Sequence, residues 1–466
     1  MRKLLLLLFS LSLLGCAEEK AESKDLSTYL PQDAAVILKL ENPNLFFSHL
    51  QNNELLKTNE DLSLIRDLEK RLSFLDLIDH KTPAYLSFST EKSGRTSFTL
   101  IHHGLPDSLQ LDSIKNKSVE TLTANFGQIK KYTLEDQVTY TSSIDSIFLV
   151  SDSRSSLEAI LQNDGRNEPV HPADFEKALK ASASDKPVIL INHQEFSRLA
   201  VQLLPLLKED KFSSFSNWTS LDTEITPTSI KLNGITSASD TLPKLINAFK
   251  GVAPAANELA SIAPISSQGF FSITFENFTS LQTNLQEMFG EATAPAPSEE
   301  IDLLKNASEA GLIYFQEAPV FAVKSLDPET AKSVFSSNGE LLEEFHGIGI
   351  YSYQGAEKFD FLKPLVAAND LKYFLFLDRY LLFSSDLEQL KEVVTSFQNE
   401  RVLGKTEAYQ NSFQSLSTEA SLLWVSNNRN FVNRLSTYAA REYAEEVKDL
   451  DLSGFPIAAL QFIYQS

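Results

Sequence analysis

The sequence predicts an α+β body of two related domains, each a mainly antiparallel sheet with helices packed on it. Three observations predict it: short β-rich runs joined by tight turns, amphipathic stretches between them, and internal repetition at an offset of about 235 residues. Short links favour antiparallel pairing, because parallel neighbours need a long crossover.

The repetition rests on three collinear matches. Ala35-Val36-Ile37-Leu38-Lys39-Leu40-Glu41-Asn42 corresponds to Phe270-Phe271-Ser272-Ile273-Thr274-Phe275-Glu276-Asn277. Each copy follows a proline turn (Leu30-Pro31, Ala263-Pro264) and precedes an amphipathic helix bearing Leu50 or Leu285. Asp145 to Ser151 corresponds to Asp378 to Ser384, and both lead into helices with Leu157, Ile160 and Leu161 or Leu390, Val393 and Val394. Val188 to Asn192, continuing to Phe196, corresponds to Leu422 to Ser426, continuing to Phe431. So long a period marks a duplicated domain, not a stacked solenoid.

Within a copy the grammar is strand, helices, paired strands, helix, strand, helix and closing strands. Val36, Leu38 and Leu40 alternate with Ile37, Lys39 and Glu41, imperfectly at Ile37. Tyr85 to Ser89, Ser97 to Ile101, Val138 to Thr141 and Ile147 to Val150 read as strands, with Glu91-Lys92-Ser93-Gly94 turning between the first two. Helices are expected over Glu60 to Leu77, Phe175 to Lys180, Phe196 to Leu207, Ser333 to Phe345 and Asn430 to Val447, covering one sheet face. The Pro-rich Ala292 to Ser298 reads as a loop inside the second copy, and the border lies near Ala253 to Ser267. The division is therefore residues 29–258 for the first repeat and 259–466 for the second.

The copies end differently. The first runs through Trp218 and a turn at Pro227 to a strand, Ile230 to Gly234, whereas the second reaches Leu460 to Ser466 without a return strand. Three explanations stay open: Leu460 to Tyr464 is an edge strand, its partner comes from elsewhere, or the chain is truncated. An exposed apolar edge is a liability unless covered.

Ahead of the body, Arg2-Lys3 precedes an apolar run from Leu4 to Leu14, too short for a bilayer-spanning helix of ~20 residues. Leu13, Gly15 and Cys16 resemble the cleavage site of bacterial lipoproteins, with Leu14 bulkier than usual. That resemblance implies a signal over residues 1–15, cleavage between Gly15 and Cys16, and acylation of Cys16. A single acyl chain holds only marginally, so two or three would make a stable anchor. Residues 16–28, charged and polar, form a solvated tether. Glu18-Glu19 could serve as an onward-export signal or as plain spacer.

Leu30-Pro31-Gln32-Asp33-Ala34, the Trp218 to Gly234 hairpin and Ala459-Leu460-Gln461-Phe462 resemble a group of uncharacterised Gram-negative lipoproteins with a duplicated extracytoplasmic domain. The resemblance covers most of the mature chain, implies an envelope location (outer membrane, periplasmic face or cell surface), and transfers no catalytic residue. Longer members of that group continue into another β-rich domain.

Composition narrows the function further. Hydrophobic residues at 42%, with 32 Phe, suffice for ordinary cores, and with Cys16 lipidated no disulfide or cysteine-based site can form in the body. A net charge of −21 argues against nucleic acid, which needs a basic surface.

Motifs for chemistry are missing. His49, His80, His102, His103, His171, His193 and His346 show no spacing that puts two imidazoles on one metal. His102 and His103 point to opposite faces of a strand. His193, in Asn192-His193-Gln194-Glu195, marks a strand-to-helix junction. No nucleophile elbow or phosphate loop occurs, and Asp449-Leu450-Asp451-Leu452 lacks the other ligands of a calcium loop. Glu343-Glu344 and Glu445-Glu446 read as solvated helix faces, and Trp218 and Trp424 as packed rings. The expectation is a non-enzymatic, cofactor-free and metal-free envelope module, held to the bilayer through Cys16 and binding an unidentified envelope protein. The alternative is capture of a small molecule or glycan between the repeats, and after it a hydrolase lacking a known motif.

Overall fold

The computed structural model describes residues 25–78, 82–104, 116–124, 127–134, 137–163, 172–183, 185–206, 212–239, 242–290 and 298–465. Gly15, Cys16, His80, His171 and most of the Pro-rich loop lie outside them. The first sheet contains β1 (Ala34–Leu40), β2 (Ala84–Thr90), β3 (Thr96–His103), β4 (Lys117–Ala124), β5 (Gly127–Leu134), β6 (Gln137–Ile144), β7 (Ile147–Ser151), β8 (Val188–Asn192), β9 (Trp218–Thr226) and β10 (Ser229–Ser237). Its order is β10-β9-β8-β1-β2-β3-β7-β6-β5-β4. The second contains β11 (Gly269–Thr274), β12 (Ala307–Tyr314), β13 (Val320–Ser325), β14 (Leu341–Phe345), β15 (Ile348–Ser352), β16 (Tyr373–Leu377), β17 (Tyr380–Ser384), β18 (Leu422–Asn427) and β19 (Ile457–Phe462). Its order is β14-β15-β16-β17-β13-β12-β11-β18-β19. Read from opposite ends, the two orders coincide strand for strand, except that β10 has no counterpart among the described residues. The chain thus adopts the expected α+β class in two similar halves.

Local devices repeat with the topology. Asn42 caps the helix Pro43–Asn52 by accepting from the Leu45 N–H, and Asn277 caps Phe278–Phe289 by accepting from the Ser280 N–H. Asp145 and Asp378 open equivalent hairpin turns with φ of 52° and 53°, a left-handed conformation that Asp tolerates better than most residues. Gly94 supplies the positive φ of the expected turn after β2. The helices Arg154–Asn163 and Leu387–Gln398 bury Leu157, Ile160 and Leu161, and Leu390, Val393 and Val394, at matching places.

Both faces of each sheet carry a core, which corrects the expectation of helices on one face. In the first half Ile37, Ile101 and Leu149 pack under Arg154–Asn163 and Ala173–Ala181, while Leu86, Leu100 and Val150 meet Phe74 and Leu75 on the other side. A strand buried on both faces reads as a continuous apolar run, so the break at Ile37 is a burial signal rather than noise.

Three further expectations need correction. Ser333 to Phe345 is not one helix: Pro328–Asn338 ends before Gly339 and the chain continues as β14, which places Glu343-Glu344 on an edge strand. Asn430 to Val447 breaks after Asn428–Tyr438, where the Ala440 N–H donates to the Leu203 carbonyl of the first half, and resumes as Ala444–Lys448. Finally, β4 and β5 are strands that no apolar alternation marks in the sequence: β4 is largely exposed, and only Ile129 and Tyr132 of β5 are buried. Among the described residues no helix is long and apolar enough to cross a membrane.

One cap has changed its use. Asn192 caps His193–Leu203, whereas Asn427, at the equivalent junction, donates instead to the Ile265 and Ser267 carbonyls and pins the segment entering β11. Asn42→Ala and Asn277→Ala should each cost about 1 kcal/mol in urea denaturation. Asn427→Ala should cost more, roughly 2 kcal/mol, because two partly buried bonds are lost. Equal losses at all three positions would contradict this division of roles.

Candidate functional site

Buried ionisable groups with perturbed titration mark candidate sites. Glu309 on β12 is fully buried. Its carboxylate accepts from the Ser272 hydroxyl (2.6 Å), the Tyr380 phenol (2.9 Å) and the backbone N–H groups of Glu258 and Leu259. Burial raises its pKa, and these four donors work in the opposite sense. Glu258 ion-pairs with Lys324 (2.8 Å) and Arg379 (2.6 Å); burial pushes its pKa up, but the two cations outweigh that and lower it. Glu309 therefore clips the inter-repeat linker onto the second sheet. In the first half Asp152 does comparable work, accepting from Arg71 (2.7 Å), Arg95 (2.8 Å) and the Phe98 N–H.

His193 opens its helix as expected of a junction residue. Its Nε2 lies 2.8 Å from Thr219 Oγ1, which bonds in turn to Thr236 Oγ1 of β10. The ring packs 5.5 Å from Phe215, and Phe215 meets Phe462 of β19 at 4.8 Å, so the histidine backs the seam between halves. Burial lowers its pKa to about 4, with the Phe212 carbonyl acting in the opposite sense. Elsewhere along the seam Asp451 and Asn59 exchange two backbone–side-chain bonds, and Glu446 accepts from both the N–H and hydroxyl of Ser63. Asp451 and Glu446 are thus seam residues, which corrects the expectation of a solvated face for the Glu445-Glu446 pair.

The other sequence candidates stay apart. His102 is buried edge-on to Phe148 (5.5 Å), with Nδ1 near the His103 carbonyl. His346 sits in the β14–β15 turn against Phe345. Trp218 is buried on Phe175 (5.0 Å), and Trp424 is half-buried beside Phe431. Among the described residues no three His, Cys, Asp or Glu side chains group as a metal site.

A cavity of about 480 Å³ opens between the helices Pro43–Asn52 and Glu54–Thr58 and the β9–β10 turn, lined by His49, Asn52, Glu54, Lys57, Ile225, Thr226 and Pro227. Its volume suits a small molecule. Its walls do not: His49, Glu54 and Lys57 are exposed, no hydrogen bond joins His49 to Glu54, and no Trp, Tyr or Phe lines it.

The remaining candidate is the edge at β19. Among the described residues its backbone pairs only with β18. Leu460 and Ile463 stand 48% and 41% exposed there. The other three sheet edges each carry charge: Lys117 and Glu120 on β4, Lys231 on β10, Glu343 and Glu344 on β14. Ile457 to Ile463 carries none. That absence was legible in the sequence.

The His193 geometry fixes a pH dependence. A folded pKa near 4 against about 6.5 unfolded means that the unfolded chain takes up the proton first as pH falls. Stability from this group is complete above about pH 6.5 and is lost between there and pH 4, by roughly 2–3 kcal/mol. Urea denaturation across that range should show the loss, and His193→Gln should flatten it; an unchanged slope in the variant would contradict the assignment. Comparison with known family models, curated proteins and solved structures gives no match, so these residues and their geometry alone carry the functional reading.

Proposed function

We propose that this chain is an envelope lipoprotein, anchored through acylated Cys16, that acts as a non-enzymatic interaction or assembly module. The observation that carries the reading is the destination of the buried ionisable groups. Asp152, Glu309 and His193 hold strands, linker and seam together, and none of them lines the cavity beside His49. Polar chemistry is spent on framework, while apolar side chains stand exposed at sheet edges, a pattern that favours protein contacts over turnover. The alternative of a small molecule or glycan held between the halves asks for aromatic walls there, whereas the cavity beside His49 is lined by the first half alone.

The bilayer is the first partner in this reading, through lipid on Cys16, and an envelope protein is the second. Labelling cells with an acyl precursor should mark the wild-type chain and leave Cys16→Ser unmarked and released from the membrane fraction. Unchanged labelling of the variant would defeat the anchor. Crosslinking in intact cells should recover a reproducible protein partner; a bound metabolite in native mass analysis, with no protein captured, would move the reading to the alternative.

A further inference from the structure

We infer that residues 212–215 form an acid-released latch between the halves: they cover the His193 imidazole and seat Phe215 on Phe462, and protonation of His193 opens them. The inference concerns regulation of the folded body and stands whether or not Cys16 carries lipid.

The geometry supplies the latch. His193 is the first residue of the helix His193–Leu203, directly behind its Asn192 cap. Its ring is buried, with Nε2 on the Thr219 hydroxyl of β9 and Phe215 5.5 Å away. Phe215 in turn meets Phe462 of the second half edge to face at 4.8 Å. Residues 212–215 are only half-buried. They are tied down by the turn before Leu245–Phe249: Lys244 Nζ donates to the Ser213 carbonyl, the Leu245 N–H to Ser214 (2.8 Å) and the Ile246 N–H to Phe215 (3.3 Å). A half-exposed cover of this kind belongs to the low-stability end of a structure.

While the latch is shut, a proton on this ring is disfavoured for three reasons. Burial takes water away from the charge. The first position of an 11-residue helix places it at the positive end of the helix dipole. The charge that acts on the ring is another cation, Lys244, whose own pKa burial lowers. Neighbouring acids are engaged elsewhere: Glu195 pairs with Arg198 (2.7 Å), Asp174 accepts from Asn217 and Asp222 from the Ala183 N–H. Glu224 of β9 lies opposite Lys231 of β10, and Ile457–Phe462 carries no charge.

Burial thus lowers the His193 pKa to about 4, with the Phe212 carbonyl at the head of the latch acting in the opposite sense. Once the latch opens, water restores a pKa of about 6.5. The open state therefore takes up the proton first, and lowering the pH from 7 to 5 raises the ratio of open to shut about twentyfold. The rest of the seam does not follow. Asn59 bonds to the backbone of Asp451, and Glu446, its pKa lowered by bonds from Ser63, stays charged at pH 5. The Asn59 and Ser63 contacts therefore act as the hinge.

The test is amide hydrogen exchange of the full chain at pH 7 and pH 5, each rate divided by its unstructured-chain value. The Leu245 and Ile246 amides should lose about twentyfold in protection at pH 5, while Leu149 and Leu382 in the two cores stay slower at both pH values. In His193→Gln the change at Leu245 and Ile246 should shrink to about twofold or less. Phe462→Ala, made in the other half, should speed both amides at pH 7 at least about tenfold and leave Leu149 unchanged. Protection that is flat with pH, or an equal loss in H193Q, overturns the inference. So does exchange of latch and core amides in one common opening, because the ring is then freed only by global unfolding. A Phe462→Ala variant with unchanged Leu245 and Ile246 overturns the link to the second half.

Discussion

A β-sheet can bury its faces, but it cannot hide its edge backbone without another strand. This constraint organises the molecule. Both faces of both sheets are covered by helices and aromatic cores, so the backbone groups left to meet the outside lie along four edge strands. Three of the four are blunted with charge. The fourth, β19, is apolar and is the counterpart of β9, which β10 covers in the first half. Duplication thus sets the same scaffold side by side twice, with β9 inside its sheet and, among the described residues, β19 outermost.

The two halves are held as one body by polar contacts that would look catalytic in another setting. Glu309 is a fully buried carboxylate beside two tyrosine- and serine-borne hydroxyls, yet it also receives two backbone N–H groups from the linker and does not line the cavity beside His49. Its donors fix the turn that leads from one repeat to the next. Breaking such a site leaves a buried charge or buried donors unpaired, which is costly. The seam adds Asn59 with Asp451, Ser63 with Glu446, and the aromatic contact of Phe215 with Phe462. Phe462 belongs to β19, so the outermost strand of the second sheet also takes part in the junction between halves.

Much of this was legible in the sequence, for identifiable reasons. Strands β7 and β17 were visible because burial on both faces makes them short unbroken apolar runs, repeated at a constant offset. The different endings of the two copies were visible as well, and among the described residues β10 has no counterpart. Strands β4 and β5 were not, because little of them beyond Ile129 and Tyr132 is buried and polar exposed strands have no period to read. Leu341–Phe345 resembled a helix because Leu-Leu-Glu-Glu favours one locally, and sheet pairing with Ile348–Ser352 overrides that preference. Glu309 was beyond reach: its partners lie 37 to 71 residues away, and nothing local distinguishes it from a surface acid.

Among the described residues β19 is an outermost strand, whereas its counterpart β9 is covered by β10. Hydrogen exchange of the free chain tests that most directly, by comparing amides of Ile457–Phe462 with those of β9, which β10 covers. The outward-facing amides of β19 should exchange as fast as those of β4, β10 and β14, while β9 stays protected. Protection of β19 equal to that of β9 in the monomer would contradict the account.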